Sequence, residues 1–244
     1  MQSNTFVIVA AYDEAERIGA TLSALALAFP GAPVWVADDG SRDETAQIAR
    51  AAGAMVVRSE RVIGKGAAVT GAAREALRAA SASSGEADDE AVFVLCDGDL
   101  GDSAHELGAL LDPLARGQAD IAVAAFSRRA GGGFGLALGF ARWAIRRRCG
   151  LQVSAPISGQ RALRGRALAD VLPFAAGFGM EIGMTIDAVR AGHRLVEVEL
   201  DLAHRASGRT PAGFVHRGRQ LVDFVRVYRA RRETGARNLR SPLR

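Results

Sequence analysis

Apolar runs of strand length alternate with apolar stripes of helical period through the first half of the chain. Residues 5–10 and 34–37 are short apolar runs bounded by polar or turn residues, as buried strands are. Between them, residues 13–28 place Ile18, Leu22, Leu25 and Phe29 on one face of a helix. A second helix is predicted over 42–52, closed by Gly53, and a third strand over 54–58. A third helix follows over 66–80, then a polar, acidic connection over 81–90. The run from Ala91 to Cys96 is apolar throughout, the pattern of a strand covered on both faces. This alternation predicts an α/β fold, with a mainly parallel central sheet and helices on both faces.

The second half is less regular. A helix is predicted over 103–116, a strand over 121–125, a short strand over 160–163, a helix over 178–190 and an alternating strand over 195–202. Residues 134–148 mix Phe134, Phe140, Trp143 and Ile145 with Arg142, Arg146, Arg147 and Arg148, without an acid. Residues 213–232 read as a basic amphipathic helix. Both segments suit a helix lying among lipid headgroups; a core-packed helix with a solvated basic face is the alternative. No repeat or long linker divides the chain. The expected organisation is one domain over 1–212, its first half ending near residue 102, followed by a basic helix and tail over 213–244.

Composition sharpens this picture at three points. Of 31 basic residues only Lys65 is a lysine, and it lies in Gly64-Lys65-Gly66. The net charge of +4 conceals a basic end: residues 204–244 carry eleven arginines against Asp223 and Glu233. Such a tail calls for an anionic partner, a membrane surface or a phosphorylated acceptor. No nucleic acid is expected, since no recognised module accompanies the charge. Two cysteines, Cys96 and Cys149, make no disulfide framework and read as reduced thiols of a cytoplasmic protein. No apolar stretch approaches the roughly 20 residues of a membrane-spanning helix.

Four turns carry the candidate chemistry: Ala10-Ala11-Tyr12-Asp13-Glu14, Ala37-Asp38-Asp39-Gly40-Ser41, Gly64-Lys65-Gly66 and Asp97-Gly98-Asp99. Three of them follow predicted strands, where open α/β sheets bind ligands, and the Lys65 turn opens a predicted helix. Carboxylates on the first two can accept hydrogen bonds from a nucleobase. Lys65 at a helix start can meet phosphate. Asp97 and Asp99 are hard oxygen ligands suited to Mg²⁺ or Mn²⁺. Taken singly, each turn also reads as a helix cap, Asp13, Ser41 and Ser103 being good cap residues.

Taken in order, the segments VAAYDEAERIGATL, VADDGSRDET, GKGAAVTGA and LCDGDLGDS resemble the nucleotide-binding half of glycosyltransferase family 2, with its GT-A fold. The later segments SGQRALRGRAL, GFGMEIGMTIDAVRAGHRLVEVEL and HRASGRTPAGF are similar to those of dolichyl- or polyprenyl-phosphate sugar synthases. The resemblance implies an inverting, metal-dependent transfer from a nucleotide sugar to a polyprenyl phosphate at the cytoplasmic face of the membrane. It places Ala11, Tyr12, Glu14, Asp39, Lys65 and Asp97 around the nucleotide sugar, and Asp97 and Asp99 on the metal. It turns Arg161 and Arg205 toward phosphates, with Arg128, Arg129 and Arg209 as further cations. Such synthases usually carry Asn at the position of Asp13. They often carry Gln at that of Gly101, which leaves Asp102 and His204 as candidates for a third metal ligand. A polyprenyl phosphate is already ionised; a hydroxyl acceptor would need a base, for which Glu181 is the candidate. The rival readings are a soluble transferase of the same fold acting on a small phosphorylated or hydroxyl acceptor, such as a phosphoglycerate, and a non-catalytic basic adaptor.

Overall fold

The structure, a computed structural model, describes residues 4–84, 90–126, 135–202 and 222–231. Seven strands among them form one sheet: β1 (Thr5–Ala11), β2 (Val34–Asp38), β3 (Met55–Arg58), β4 (Val92–Asp97), β5 (Ile121–Phe126), β6 (Arg161–Arg164) and β7 (Leu195–Leu200). Their order is β3-β2-β1-β4-β6-β5-β7. β6 runs antiparallel to β4 and β5, and the other pairings are parallel. The chain leaves β1 toward β2 on one side and later returns to β4 on the other. The crevice at the carboxyl ends of β1 and β4 is therefore a topological switch point, where such sheets hold ligands.

Alternate side chains of each strand supply two cores. Phe6, Ile8, Phe93, Leu95 and Leu163 pack on α3 (Lys65–Ser84), α6 (Gly165–Asp170) and α7 (Met180–Arg190). Val7, Val9, Val94 and Cys96 pack on α1 (Ile18–Ala28) and on a 3₁₀ helix over Gly101–Leu110 that runs into α4 (Leu111–Ala115). Helices thus cover both faces. The predicted helix over 103–116 is mostly 3₁₀ because its buried residues, Ala104, Leu107 and Leu110, recur every third position.

Two helices start later than periodicity predicts. α1 begins at Ile18, and α2 (Thr45–Ala51) begins three residues past the expected Arg42. The preceding turns bond to each other instead. Asp13 N–H donates to Ser41 Oγ at 3.0 Å, Glu14 N–H to Thr45 Oγ1 at 2.8 Å, and Arg42 N–H to Asp13 Oδ1 at 2.7 Å. Asp13 takes φ +52°, a left-handed conformation that Asn and Asp tolerate better than most residues. No side-chain cap forms at α1, α2 or the 3₁₀ helix, so the cap reading of Asp13, Ser41 and Ser103 is corrected.

α5 (Gly135–Cys149) and a helix over 222–230 (α8) are the segments read as membrane-facing. Part of each apolar face meets α7: Ala141 and Ile145, Phe224 and Val227, and Ile182 and Ile186 form a third core cluster, while Trp143 and Val222 stay about half exposed. The Arg148 guanidinium lies 3.6 Å from the Tyr228 ring centre, and Arg231 pairs with Asp187 of α7 through a 2.8 Å bond from Nε. The core-packed alternative therefore describes the described part of both helices. No helix among the described residues is long and apolar enough to cross a membrane. Phe224 is 1% exposed. Phe224→Ala should cost about 3 kcal/mol, lowering the melting midpoint by roughly 6–12 °C. An unchanged midpoint in calorimetry would mean that α8 does not share this core.

Candidate active site

Three strand ends and one helix start build the site. β1 ends at Ala11 and delivers Tyr12 and Glu14; β2 delivers Asp39; β4 ends in Asp97 and continues to Asp99. α3 begins with Lys65. These residues, with Ala10, Ala11, Ala37, Ala68, Val69 and Gly98, line one open cleft of about 200 Å³. The structure thus brings together all six residues expected around the nucleotide sugar, and Asp99 with them. Tyr12 lines the cleft and is 42% exposed.

Asp38 and Asp39, adjacent in sequence, divide their work. Asp38 is fully buried; it accepts the Ser41 N–H at 2.8 Å and pairs with Arg58 at 3.2 Å. Asp39 lines the cleft while its carboxylate accepts the N–H groups of Ile63 at 2.7 Å and Gly64 at 2.9 Å. Asp39 therefore fixes the loop that leads into Lys65. α3 reaches its place because Gly66 has no side chain: a Cβ there would sit 1.9 Å from the Ala175 carbonyl oxygen.

Lys65 is the centre of the site. Its Nζ lies 2.6 Å from Asp97 Oδ1 and 2.9 Å from Glu181 Oε1. Burial alone would pull the ammonium pKa down, but Asp97 and Glu181 outweigh it and hold Lys65 charged well beyond the usual lysine range. Glu181 comes from the first turn of α7, residue 6% exposed, and stands across Lys65 from the cleft-lining carboxylates. One ammonium thus ties the first half of the chain to the second. Cys96, behind Asp97, is buried, and burial first and the Asp97 charge second push its thiol pKa up. It is inert.

Arg161 departs from expectation. It is 0% exposed and cannot face a phosphate. Its guanidinium donates to Ser158 O at 2.9 Å, Thr185 Oγ1 at 3.0 Å and Glu181 O at 3.1 Å. Burial pulls its pKa down to about 10, opposed by Glu181 and Glu197, so it stays charged at neutral pH. Arg161 is a strut under α7, not a ligand-binding cation. Arg128, Arg129, His204, Arg205 and Arg209 lie outside the described residues. Asp102 is exposed on the 3₁₀ helix and does not line the cleft. Sequence reasoning passed over Gln160, whose Nε2 donates to Asp97 Oδ2 at 2.8 Å. Its only signal was its place beside Arg161, in Ser158-Gly159-Gln160-Arg161.

Among the described residues, no three His, Cys, Asp or Glu side chains form a group that could hold a metal ion by themselves. Asp97 and Asp99 nevertheless suit Mg²⁺ or Mn²⁺ in a nucleotide site. Such ions commonly take one or two carboxylates and complete their shell with phosphate oxygens and water.

Comparison with known proteins agrees with this geometry. Residues 6–171 match the family described as glycosyl transferase family 2. Glucosyl-3-phosphoglycerate synthase of Mycolicibacterium paratuberculosis is 32% identical over 201 residues, which is 74% of this chain and 58% of that protein. This chain thus spans somewhat more than half of that relative. The crystal structure of glucosyl-3-phosphoglycerate synthase from Mycobacterium tuberculosis with Mg²⁺ and uridine diphosphate superposes with a TM-score of 0.71 at 26% identity, over 93% of this chain and 78% of that one. The same enzyme with Mn²⁺, uridine diphosphate and glucosyl-3-phosphoglycerate gives 0.67 at 25% identity, over 93% and 79%. The sheet is that of the GT-A glycosyltransferases, and with a family match over more than half its length the chain belongs to glycosyl transferase family 2.

Proposed function

We propose that this chain is an inverting glycosyltransferase that moves a sugar from a nucleoside diphosphate to a small phosphorylated acceptor of the phosphoglycerate class. UDP-glucose is the first donor to try. One observation carries the reading: Lys65 bridges Asp97 and Glu181 at the floor of a cleft that also presents Tyr12, Glu14, Asp39 and Asp99. An ammonium fixed there meets negative charge developing on a departing diphosphate without having to reorganise. Tyr12 offers a ring for a nucleobase, and Asp39 offers a carboxylate beside it. Asp97 and Asp99 would hold Mg²⁺ or Mn²⁺ together with donor oxygens. A bound cation supplies further stabilisation of the leaving group. A hydroxyl acceptor must lose a proton. Glu181, held in place by Lys65, is the candidate to receive it.

The phosphoglycerate class is favoured over the polyprenyl phosphate expected from the sequence. The similar proteins are named for phosphoglycerate, and Ala141 and Ile145 of α5 and Phe224 and Val227 of α8 are buried in one cluster with α7.

Two measurements test this reading. UDP-glucose with Mn²⁺ at about 100 times its Kd should stabilise the protein by about 2.7 kcal/mol. That corresponds to a melting midpoint raised by roughly 5–11 °C, and Asp99→Asn should abolish the metal-dependent part. No shift with any nucleotide sugar would overturn the proposal. Product analysis with 3-phosphoglycerate, and in parallel with polyprenyl phosphate in vesicles, then identifies the acceptor. Turnover of the vesicle substrate alone would restore the polyprenyl reading.

Lys65→Met should lower kcat by about two orders of magnitude, the usual loss for a preorganised charge-stabilising group. It should also destabilise the fold by about 2 kcal/mol, less than a fully buried pair because the side chain is partly exposed. The folded pKa of Lys65 lies above its unfolded value, so its contribution is complete below the unfolded pKa and fades only as pH rises through the folded one. Urea melts should therefore give the same penalty for Lys65→Met from pH 6 to pH 9. A penalty that faded within that window would contradict a raised pKa.

A further inference from the structure

Asp97 touches more than Lys65. Lys65 sits on its Oδ1, and the Gln160 amide donates to its Oδ2 at 2.8 Å. Gln160 is itself 3% exposed, and its Oε1 accepts the Ser158 hydroxyl at 3.1 Å. That bond settles which end of the amide faces Asp97: the oxygen is occupied, so the NH₂ is presented to the carboxylate. The residue between them allows the approach. A Cβ on Gly159 would lie 2.8 Å from Lys65 Nζ and 3.0 Å from Asp97 Oδ2.

The segment carrying Gln160 is anchored at both ends. Downstream, Arg161 enters β6 and pairs in register with Leu95 of β4, two residues before Asp97. Upstream, Glu197 of β7 accepts the N–H groups of Ser154 at 2.9 Å and Ala155 at 2.7 Å. Gln160 and Arg161 therefore hold the two acids of the Lys65 bridge from one short stretch of chain. Gln160 grips the Asp97 carboxylate, and Arg161 grips the Glu181 carbonyl.

We propose that Gln160 is a positioning residue: its amide sets the orientation of the Asp97 carboxylate and through it the geometry of donor binding. The choice of glutamine has a physical reason. A neutral donor orients a carboxylate without cancelling its charge. Lys65, Asp97 and Glu181 together carry one negative charge, which a lysine or arginine at 160 would neutralise and a glutamate would double. A neutral amide keeps the cleft attractive to a cation and still fixes Asp97. This role rests on the nucleotide-sugar reading for its catalytic consequence, but not for the contact itself.

The test uses Gln160→Met, which keeps length and apolar bulk but has no N–H. With UDP-glucose and 3-phosphoglycerate, the donor KM should rise about tenfold, the size of losing one hydrogen bond to a charged group. The acceptor KM and kcat should stay within about twofold, because Lys65 and Glu181 keep their places. A purely structural role would lower the melting midpoint and leave donor KM unmoved, and that result overturns the proposal. If Gln160→Met fails to fold, Ser158→Ala releases only the amide oxygen and should raise donor KM about threefold. An unchanged donor KM in that variant counts equally against it. A ligand-free double-mutant cycle of Gln160→Met with Asp97→Asn completes the design. Non-additive melting shifts support the contact, and additive ones reject it. If the wild-type chain turns over no nucleotide sugar, the proposed function fails, and this cycle still decides whether Gln160 holds Asp97.

Discussion

A single ammonium determines how the two halves of this molecule meet. Lys65 stands at the first residue of α3, and its carboxylate partners arrive from the end of β4 and the start of α7. Two carboxylates this close repel unless a cation lies between them. The halves are therefore complementary only with Lys65 in place. Everything nearby serves that meeting. Gly66 lets α3 approach Ala175, Asp39 fixes the loop before Lys65, and Arg161 braces the turn that carries Glu181.

The surrounding fold explains why the bridge can be both buried and functional. α3 faces the sheet with Ala68, Ala72, Ala73, Ala76 and Ala80, so it lies close against β1 and β2. The cleft opens only at the carboxyl edge, where parallel strands present their loops. An ion pair in such a place contributes little net stability, since its desolvation offsets much of its attraction. Its value lies in preorganisation: charges are already fixed where a diphosphate would arrive. The third core cluster, α5 with α7 and α8, extends this support to the second half of the chain. It holds α7 from behind, and α7 holds Glu181.

Arginine plays a different part here from lysine. Arg161, Arg190 and Arg231 donate to backbone carbonyls or to Asp187 and join β6, α5, α7 and α8. Their planar forks suit several acceptors at once, whereas lysine offers a compact charge. The lone lysine occupies the position where a compact charge between two carboxylates is required.

The sequence alone determined the alternating elements of the first half and the residues at their ends. It could do so because strand runs and helical stripes are local patterns, and because a parallel sheet forces its turns to one edge. Tyr12, Glu14, Asp39, Lys65, Asp97 and Asp99 were legible for that reason. What only the tertiary structure decided was long-range. Arg161 became a buried strut because β6 inserts antiparallel beside β4, a pairing that no local pattern encodes. Gln160 reached Asp97 across 63 positions through the same pairing. α1 and α2 lost their first turns to hydrogen bonds between loops about 30 residues apart. The apolar stripes of α5 and α8 suited lipid as well as core, because amphipathicity records that a face is covered and not by what.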